Sequence, residues 1–289
     1  MSSPSALELV GVSAPAAPAS RVPALHGLDL RLEPGEQVAV IGASGAGKSS
    51  LLLTMAAAVR PLGGQLRLAG VDPWVLGSAG RHRLRAQLFL APQVPPLPPR
   101  QRVVTSVLAG GLPAWPGWWR GWLFGWSDAD ASRAQAALQA FDIADKLWLR
   151  VDRLSGGERQ RVGLARALVS AARWWLVDEP LSALDPARAH QALGSLQAAA
   201  RDSGRTLVCT LHQVDLARER FARIVALRAG RIVYDGPAAG LDDEAVRALY
   251  SPSDADGTPS PPGADPIAPP AWADAPPDLS PGPPGALCR

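Results

Sequence analysis

Gly42-Ala43-Ser44-Gly45-Ala46-Gly47-Lys48-Ser49 has the spacing of a phosphate-binding loop, with a glycine at each end of the turn and a Lys-Ser pair closing it. Gln37-Val38-Ala39-Val40-Ile41 before it reads as a short buried strand, and Ser50-Leu51-Leu52-Leu53 after it opens an apolar helix, which is the context such a loop requires. The glycines let the backbone wrap closely enough for its N–H groups to face phosphate oxygens, and the helix N-terminus adds positive partial charge. The loop predicts a nucleoside triphosphate site spanning Gly42, Ala43, Ser44, Gly45, Ala46, Gly47, Lys48, Ser49 and Ser50. Lys48 is expected to hold the β and γ phosphates and Ser49 to ligate Mg²⁺.

Residue usage points the same way. Of 29 Lys and Arg residues only Lys48 and Lys146 are lysines, so a chain that otherwise uses Arg keeps a compact ammonium in the loop. At 289 residues the chain can build one large domain or two modest ones. No run approaches the roughly 20 apolar residues of a membrane span. Met1-Ser2-Ser3-Pro4-Ser5 lacks the basic-then-apolar character of a secretory leader, so none is expected. Cys209 and Cys288 have no metal-ligand spacing and read as buried filler and tail residue. The net charge of +3 combines −4 from residue 251 onward with +7 in residues 1–250. A basic body invites a nucleic-acid or anionic-membrane reading, but its arginines are scattered, so a solvated Arg-rich surface is expected ahead of either and no nucleic-acid partner is expected.

Leu7-Glu8-Leu9-Val10 and Leu28-Asp29-Leu30-Arg31-Leu32 alternate as half-buried strands, and Leu66-Arg67-Leu68 resembles another. From about residue 93 to 150 a Pro-rich loop, a tryptophan cluster and a 3.6-residue pattern through Ala134, Ala137, Leu138 and Phe141 predict a helical insertion. Trp174-Trp175-Leu176-Val177 and Thr206-Leu207-Val208-Cys209-Thr210 read as buried parallel strands. Residues 251–289 carry twelve prolines and few large apolar side chains, which predicts a disordered tail.

Leu154-Ser155-Gly156-Gly157-Glu158-Arg159-Gln160-Arg161-Val162 begins a second helix with a hydroxyl and free N–H groups at its positive end, the chemistry of an anion clamp. A helix cap alone explains Ser155 but not the paired glycines. Together with the phosphate loop, this stretch resembles the signature motif of ATP-binding cassette (ABC) proteins. The resemblance covers nearly all of residues 6 to 250. Trp174 to Glu179 matches the Walker B strand, which implies that Asp178 holds Mg²⁺ and that Glu179 polarises the attacking water. Ser182-Ala183-Leu184-Asp185 matches the D-loop, His212 the switch histidine at the γ-phosphate, and Gln93 the Q-loop residue that reports metal and γ-phosphate to the helical subdomain.

The fold implied is an α/β P-loop NTPase of the ABC ATPase type, with a RecA-like core, an antiparallel β subdomain and a helical signature subdomain at about residues 94–170, the whole domain being residues 1–250. The resemblance also implies catalysis by Glu179, His212 and Lys48, ATP and Mg²⁺ as cofactors, and nucleotide contacts from Gln93, Ser155, Gly156, Gly157 and Asp185. Ser155 and Gly157 are expected to close over the loop of a second ATPase subunit, a homodimer with two shared sites. A transmembrane permease would bind the dimer at the cytoplasmic face of the inner membrane, and a solute-binding protein would take part indirectly.

A narrower similarity, to the ATPase subunit of phosphonate importers, rests on His212-Gln213-Val214-Asp215-Leu216-Ala217, Leu108-Ala109-Gly110-Gly111-Leu112, the stretch ending Leu123-Phe124-Gly125, and Arg150-Val151-Asp152-Arg153-Leu154. Importers of other small solutes and soluble ABC ATPases are the alternatives. The latter carry tandem cassettes or a coiled-coil insertion, and this chain has neither. Two departures stand out. No Phe, Tyr or Trp precedes Trp74, so the aromatic residue expected to stack on adenine near Val12-Ser13-Ala14-Pro15-Ala16 is missing. Residue 106 is Ser where the importer pattern commonly has Asn. Five tryptophans between Trp115 and Trp126 either pack inside the helical subdomain or form an apolar patch for a permease.

Overall fold

The computed structural model describes residues 6–17, 20–114 and 126–250. The expected tail and most of the tryptophan run, Trp115 to Gly125, lie outside the described residues. In chain order the strands are β1 (Leu7–Pro15), β2 (Pro23–Leu32), β3 (Gln37–Ile41), β4 (Gly63–Leu68), β5 (Leu88–Ala91), β6 (Trp174–Val177), β7 (Thr206–Leu211), β8 (Arg223–Arg228) and β9 (Arg231–Pro237). The α-helices are α1 (Lys48–Met55), α2 (Ser78–Arg85), α3 (Val103–Leu108), α4 (Asp128–Gln139), α5 (Gly156–Val169), α6 (Pro186–Asp202), α7 (Val214–Arg220) and α8 (Asp243–Tyr250).

Two sheets result. β2, β1 and β4 form an antiparallel sheet, and β5-β6-β7-β3-β8-β9 form a second that is parallel except for its β9 edge. The parallel strands of the larger sheet are largely apolar on both faces because both faces are covered, whereas the edge strand β9 has no buried residue. Alternate residues therefore enter different cores. Val38, Val40, Trp174, Leu176, Val208 and Val225 pack toward the small sheet and α1. Their neighbours Ala39, Ile41, Trp175, Val177, Cys209 and Ile224 pack toward the helices that follow β5 and β6. Cys209 is fully buried, and burial pushes its thiol far above the usual range, consistent with an apolar filler.

The longer helices start where local chemistry dictates. α4 and α5 each open on a reciprocal capping box, Ser127 with Asp130 and Ser155 with Glu158. α6 opens on Asp185 followed by Pro186, which needs no N–H at that position. Ala134, Ala137, Leu138 and Phe141, the residues of the sequence pattern, are buried in the helix-side core. Trp126 packs against the same core and donates its indole N–H to Thr105 Oγ1 at 2.9 Å, so this end of the tryptophan run does pack inward. Ser106 is buried and donates to Gln101 Oε1 at 2.9 Å. Among the described residues no helix is long and apolar enough to cross a membrane.

Candidate nucleotide site

β3 lies between β7 and β8 at the centre of the parallel sheet, and its C-terminal end runs straight into Gly42. In such sheets ligands bind beyond the carboxyl ends of the strands. The loop from Gly42 to Gly47 has no room for side chains at its two ends. A Cβ on Gly42, at φ 153°, would lie 2.4 Å from the Leu227 carbonyl oxygen, and one on Gly47, at φ 101°, would lie 2.8 Å from Leu25 Cδ2. Gly45, at φ 78°, meets nothing within 4 Å, so its requirement is conformational. These glycines let the loop press against β2 and β8.

Lys48 begins α1, is 5% exposed, and donates from Nζ to the carbonyls of Gly42 (2.8 Å) and Ala43 (3.1 Å). Burial lowers its pKa below the usual lysine range, and the charges of Glu179 and Asp178 act against that shift. The ammonium therefore sits in the field of both carboxylates. Tyr250 arrives from α8: burial raises the pKa of its phenol, and a hydrogen bond with the Gly42 backbone opposes the shift.

Asp178 and Glu179 follow directly on β6, and His212 on β7. Thr210, fully buried on β7, joins them. Its hydroxyl donates to Asp178 Oδ1 at 2.6 Å and accepts the Glu179 N–H at 2.8 Å. Both oxygens of the Glu179 carboxylate are engaged, Oε2 by Gln93 Nε2 at 2.6 Å and Oε1 by His212 Nε2. Gln93 stands two residues beyond β5. Glu179 itself holds φ 45°, a left-handed conformation unusual for a residue with a side chain and one often found at functional sites. The ends of four parallel strands thus bring Lys48, Gln93, Asp178, Glu179 and His212 to one place.

The remaining expected site residues lie elsewhere. Among the described residues no hydrogen bond or ion pair links Ser155, Gly156, Gly157 or Asp185 to that group. Ser155 caps α5, accepting the Glu158 N–H at 3.2 Å while its own N–H donates to Glu158 Oε2 at 2.7 Å. Those bonds lower the pKa of the Glu158 carboxyl, and Lys146 Nζ stands 3.7 Å away. Gly156 faces open space, as an anion clamp requires. Gly157 has a further role: a Cβ there would lie 2.9 Å from the Ala183 carbonyl oxygen, so the glycine lets the helix start press against the loop after β6. Asp185 accepts the Arg188 N–H at 3.0 Å as the cap of α6. In the region expected to stack a base, Val12, Ala14 and Pro15 are buried and Ala16 is exposed, so small groups alone are presented.

Sequence reasoning overlooked Thr210 and Tyr250. A hydroxyl inside an otherwise apolar strand, two residues before His212, was the available signal for Thr210. Nothing in the sequence near Tyr250 marks it.

The residues present fit a magnesium nucleotide. Glycines that admit no side chain seat the loop against β2 and β8, its lysine holds carbonyls that a polyphosphate can replace, and Asp178 is a buried carboxylate whose charge acts on that lysine. Among the described residues there is no cluster of three or more His, Cys, Asp or Glu able to hold a metal unaided. Mg²⁺ does not require one, since it commonly binds through one or two protein groups plus phosphates and water.

Comparison with known proteins adds an independent line. A family model described as ABC transporter matches residues 25–182. A phosphonates import ATP-binding protein PhnC of Polaromonas sp. is 55% identical over 245 residues, 85% of this chain and 88% of the relative. A second, from Albidiferax ferrireducens, is 53% identical over 242 residues, 84% of this chain and 87% of the relative. Among solved structures, a dimeric ATP-binding cassette in a post-hydrolysis state with ADP and Pi superposes with a TM-score of 0.69 at 24% identity, covering 80% of this chain and 98% of that one. A bacterial Atm1-family ABC exporter with ATP bound superposes with a TM-score of 0.68 at 27% identity, covering 82% of this chain and 39% of that one.

Proposed function

Because the chain belongs to the ABC transporter ATPase family, we propose that it is the ATP-hydrolysing subunit of a phosphonate importer. The observation that carries the catalytic part is the convergence of Lys48, Gln93, Asp178, Glu179 and His212 on the loop after β3. Support for the cargo comes from the relatives, whose names specify phosphonate import over nearly their full length.

The roles follow from the contacts. Lys48 exchanges the Gly42 and Ala43 carbonyls for phosphate oxygens, a charge-assisted replacement. Ser49, Asp178 and Gln93 would hold Mg²⁺, with Thr210 fixing the Asp178 carboxylate. When bound, Mg²⁺ neutralises charge on the phosphate oxygens. Glu179 orients a water and takes up its proton once Gln93 and His212 turn from its oxygens, and His212 then faces the γ-phosphate. Ser155, Gly156 and Gly157 clamp the γ-phosphate held by a second subunit, and Asp185 lies at the same junction. Their separation from the Lys48 group within one chain is what a shared site requires. The active form is then a homodimer on a transmembrane permease at the cytoplasmic face of the inner membrane, loaded through a solute-binding protein.

Deleting the gene and growing the cells on an alkylphosphonate as sole phosphorus source tests the cargo. Growth should fail on phosphonate and persist on phosphate, and the Glu179→Gln gene should not restore it. Undiminished growth on phosphonate would remove the cargo assignment while leaving the ATPase intact.

A further inference from the structure

Beyond the phosphate loop, an open cleft of about 620 Å³ is lined by Arg21, Arg60, Arg81, Arg85 and Trp74, with Pro15 of the segment expected to stack a base among its other lining residues, and by no carboxylate. We propose that this cleft is a binding site for a phosphoryl oxyanion.

The four arginines come from three separate parts of the chain. Arg21 precedes β2, Arg60 lies between α1 and β4, and Arg81 and Arg85 are on α2. They are scattered in sequence, and the fold brings them to one cleft. Among the described residues, none of the four forms an ion pair. Asp72, beside the cleft in sequence, accepts the Trp74 N–H through Oδ1 at 2.7 Å and forms no ion pair with any of the four. The Arg81 and Arg85 guanidinium carbons lie 5.3 and 5.8 Å from the centre of the Trp74 ring, so the indole holds both cations over its face. Arg85 is also anchored by bonds from Nε (2.9 Å) and Nη2 (2.5 Å) to the Ala57 carbonyl.

Helix polarity accounts for part of this. Basic residues in the last turn of α2 complement its negative end, which explains Arg83 and Arg85. Arg21 and Arg60 belong to no helix, so that account does not reach them. Arg21, Arg60 and Arg85 are exposed and Arg81 half-buried, so water and salt screen much of their repulsion, and an anion held among them relieves what remains. The donor type narrows the choice. A planar guanidinium engages an oxyanion through a two-pronged fork. A carboxylate offers two oxygens and one charge, whereas a phosphoryl monoester or phosphonate offers three terminal oxygens and up to two charges, and so suits several forks better. The volume lies within the roughly 300–1,000 Å³ common for small-ligand sites. Free phosphate and alkylphosphonate present that full set of oxygens, an anionic lipid headgroup is a phosphodiester with two terminal oxygens and one charge, and the experiment separates the two sources.

Full-length protein saturated with a non-hydrolysable Mg-ATP analogue, which fills the nucleotide loop including its γ-phosphate position, is dialysed against radiolabelled inorganic phosphate. In parallel it is sedimented with vesicles of phosphatidylglycerol or of phosphatidylcholine. The comparison is with the Arg60→Gln/Arg81→Gln variant, whose melting temperature and ATPase rate should match the parent because neither residue belongs to the nucleotide site. Arg60→Lys, which keeps the charge and loses the fork, should bind at an intermediate level. Saturable phosphate binding, displaced by sulfate and weakened about tenfold or more in the double variant, supports the site with a soluble anion as its source. Sedimentation with phosphatidylglycerol alone, lost in the double variant, supports it with a lipid headgroup as its source. The proposal is overturned if neither probe binds, if the double variant binds as the parent does, or if chloride at matched ionic strength displaces the anion as well as sulfate.

Discussion

Replacing Thr210 with Val keeps the shape of the side chain and removes one hydroxyl that serves two partners. The hydroxyl donates to the carboxylate of Asp178, which is only 7% exposed, and accepts the Glu179 N–H. A hydrogen bond to a charged group contributes about 1.5–3 kcal/mol, and leaving a buried N–H without an acceptor costs about 1–3 kcal/mol. The two losses share an atom and do not simply add, so we expect about 3 kcal/mol of destabilisation. For a domain of this size that corresponds to roughly 6–12 °C in Tm, at about 2–4 °C per kcal/mol. Activity should fall further than folding, by about 10- to 100-fold in kcat, because Asp178 and Glu179 both lose their positioning. Thermal melting with and without Mg-ATP and a steady-state ATPase assay measure both effects, and Thr210→Ser should restore most of each. A variant that melts within about 2 °C of the parent and keeps its turnover would show that Thr210 organises neither carboxylate.

Glu179→Gln should retain ATP binding and accumulate as a nucleotide-bound dimer in size-exclusion chromatography with Mg-ATP; turnover at the parent rate would remove Glu179 from the mechanism. Lys48→Ala and Ser155→Arg subunits, each inactive alone, should regain activity when mixed, since one composite site per heterodimer is intact; confirmed heterodimers without activity would contradict a shared site. With only small groups where an aromatic is expected, base stacking worth about 1–3 kcal/mol is absent. GTP should therefore compete with ATP within about an order of magnitude, a gap of about 1.4 kcal/mol, and a competition titration showing strong ATP preference would require a stacking partner from elsewhere.

What the sequence disclosed and what it hid separate along physical lines. The loop at Gly42 was legible because its spacing is dictated by the phosphate group and not by the rest of the fold. Trp174 to Val177 and Thr206 to Thr210 were legible as strands because continuous apolar runs of that length suit a sheet buried on both faces. β5, only four residues long, and the β8–β9 pair gave weaker patterns. In β9 half-buried and exposed positions alternate with no fully buried one, so edge placement and not hydrophobicity defines it. The sequence marks Gly157 as a source of free N–H groups, but its close approach to the Ala183 carbonyl joins segments that no local pattern connects. Thr210 was hidden for a similar reason. A threonine in a strand ordinarily reports β propensity, and only the pairing of β6 with β7 shows that its hydroxyl faces two carboxylate-bearing residues.

The contact of Gly157 with Ala183 also bears on how two such subunits would keep time with one another. Ser182, the residue before Ala183, donates its hydroxyl to the Glu179 carbonyl at 3.2 Å. The residue expected to cut one subunit's nucleotide is therefore tied, through a three-residue turn, to the helix start expected to grip the other's. If that tie transmits occupancy from one site to the other, the two should fire as a cooperative pair. The rate of hydrolysis should rise sigmoidally with ATP, with a Hill coefficient between one and two, the ceiling for two sites. Gly157→Ala should flatten that curve toward a hyperbola, whereas a parent curve that is already hyperbolic would mean that the turn carries no signal.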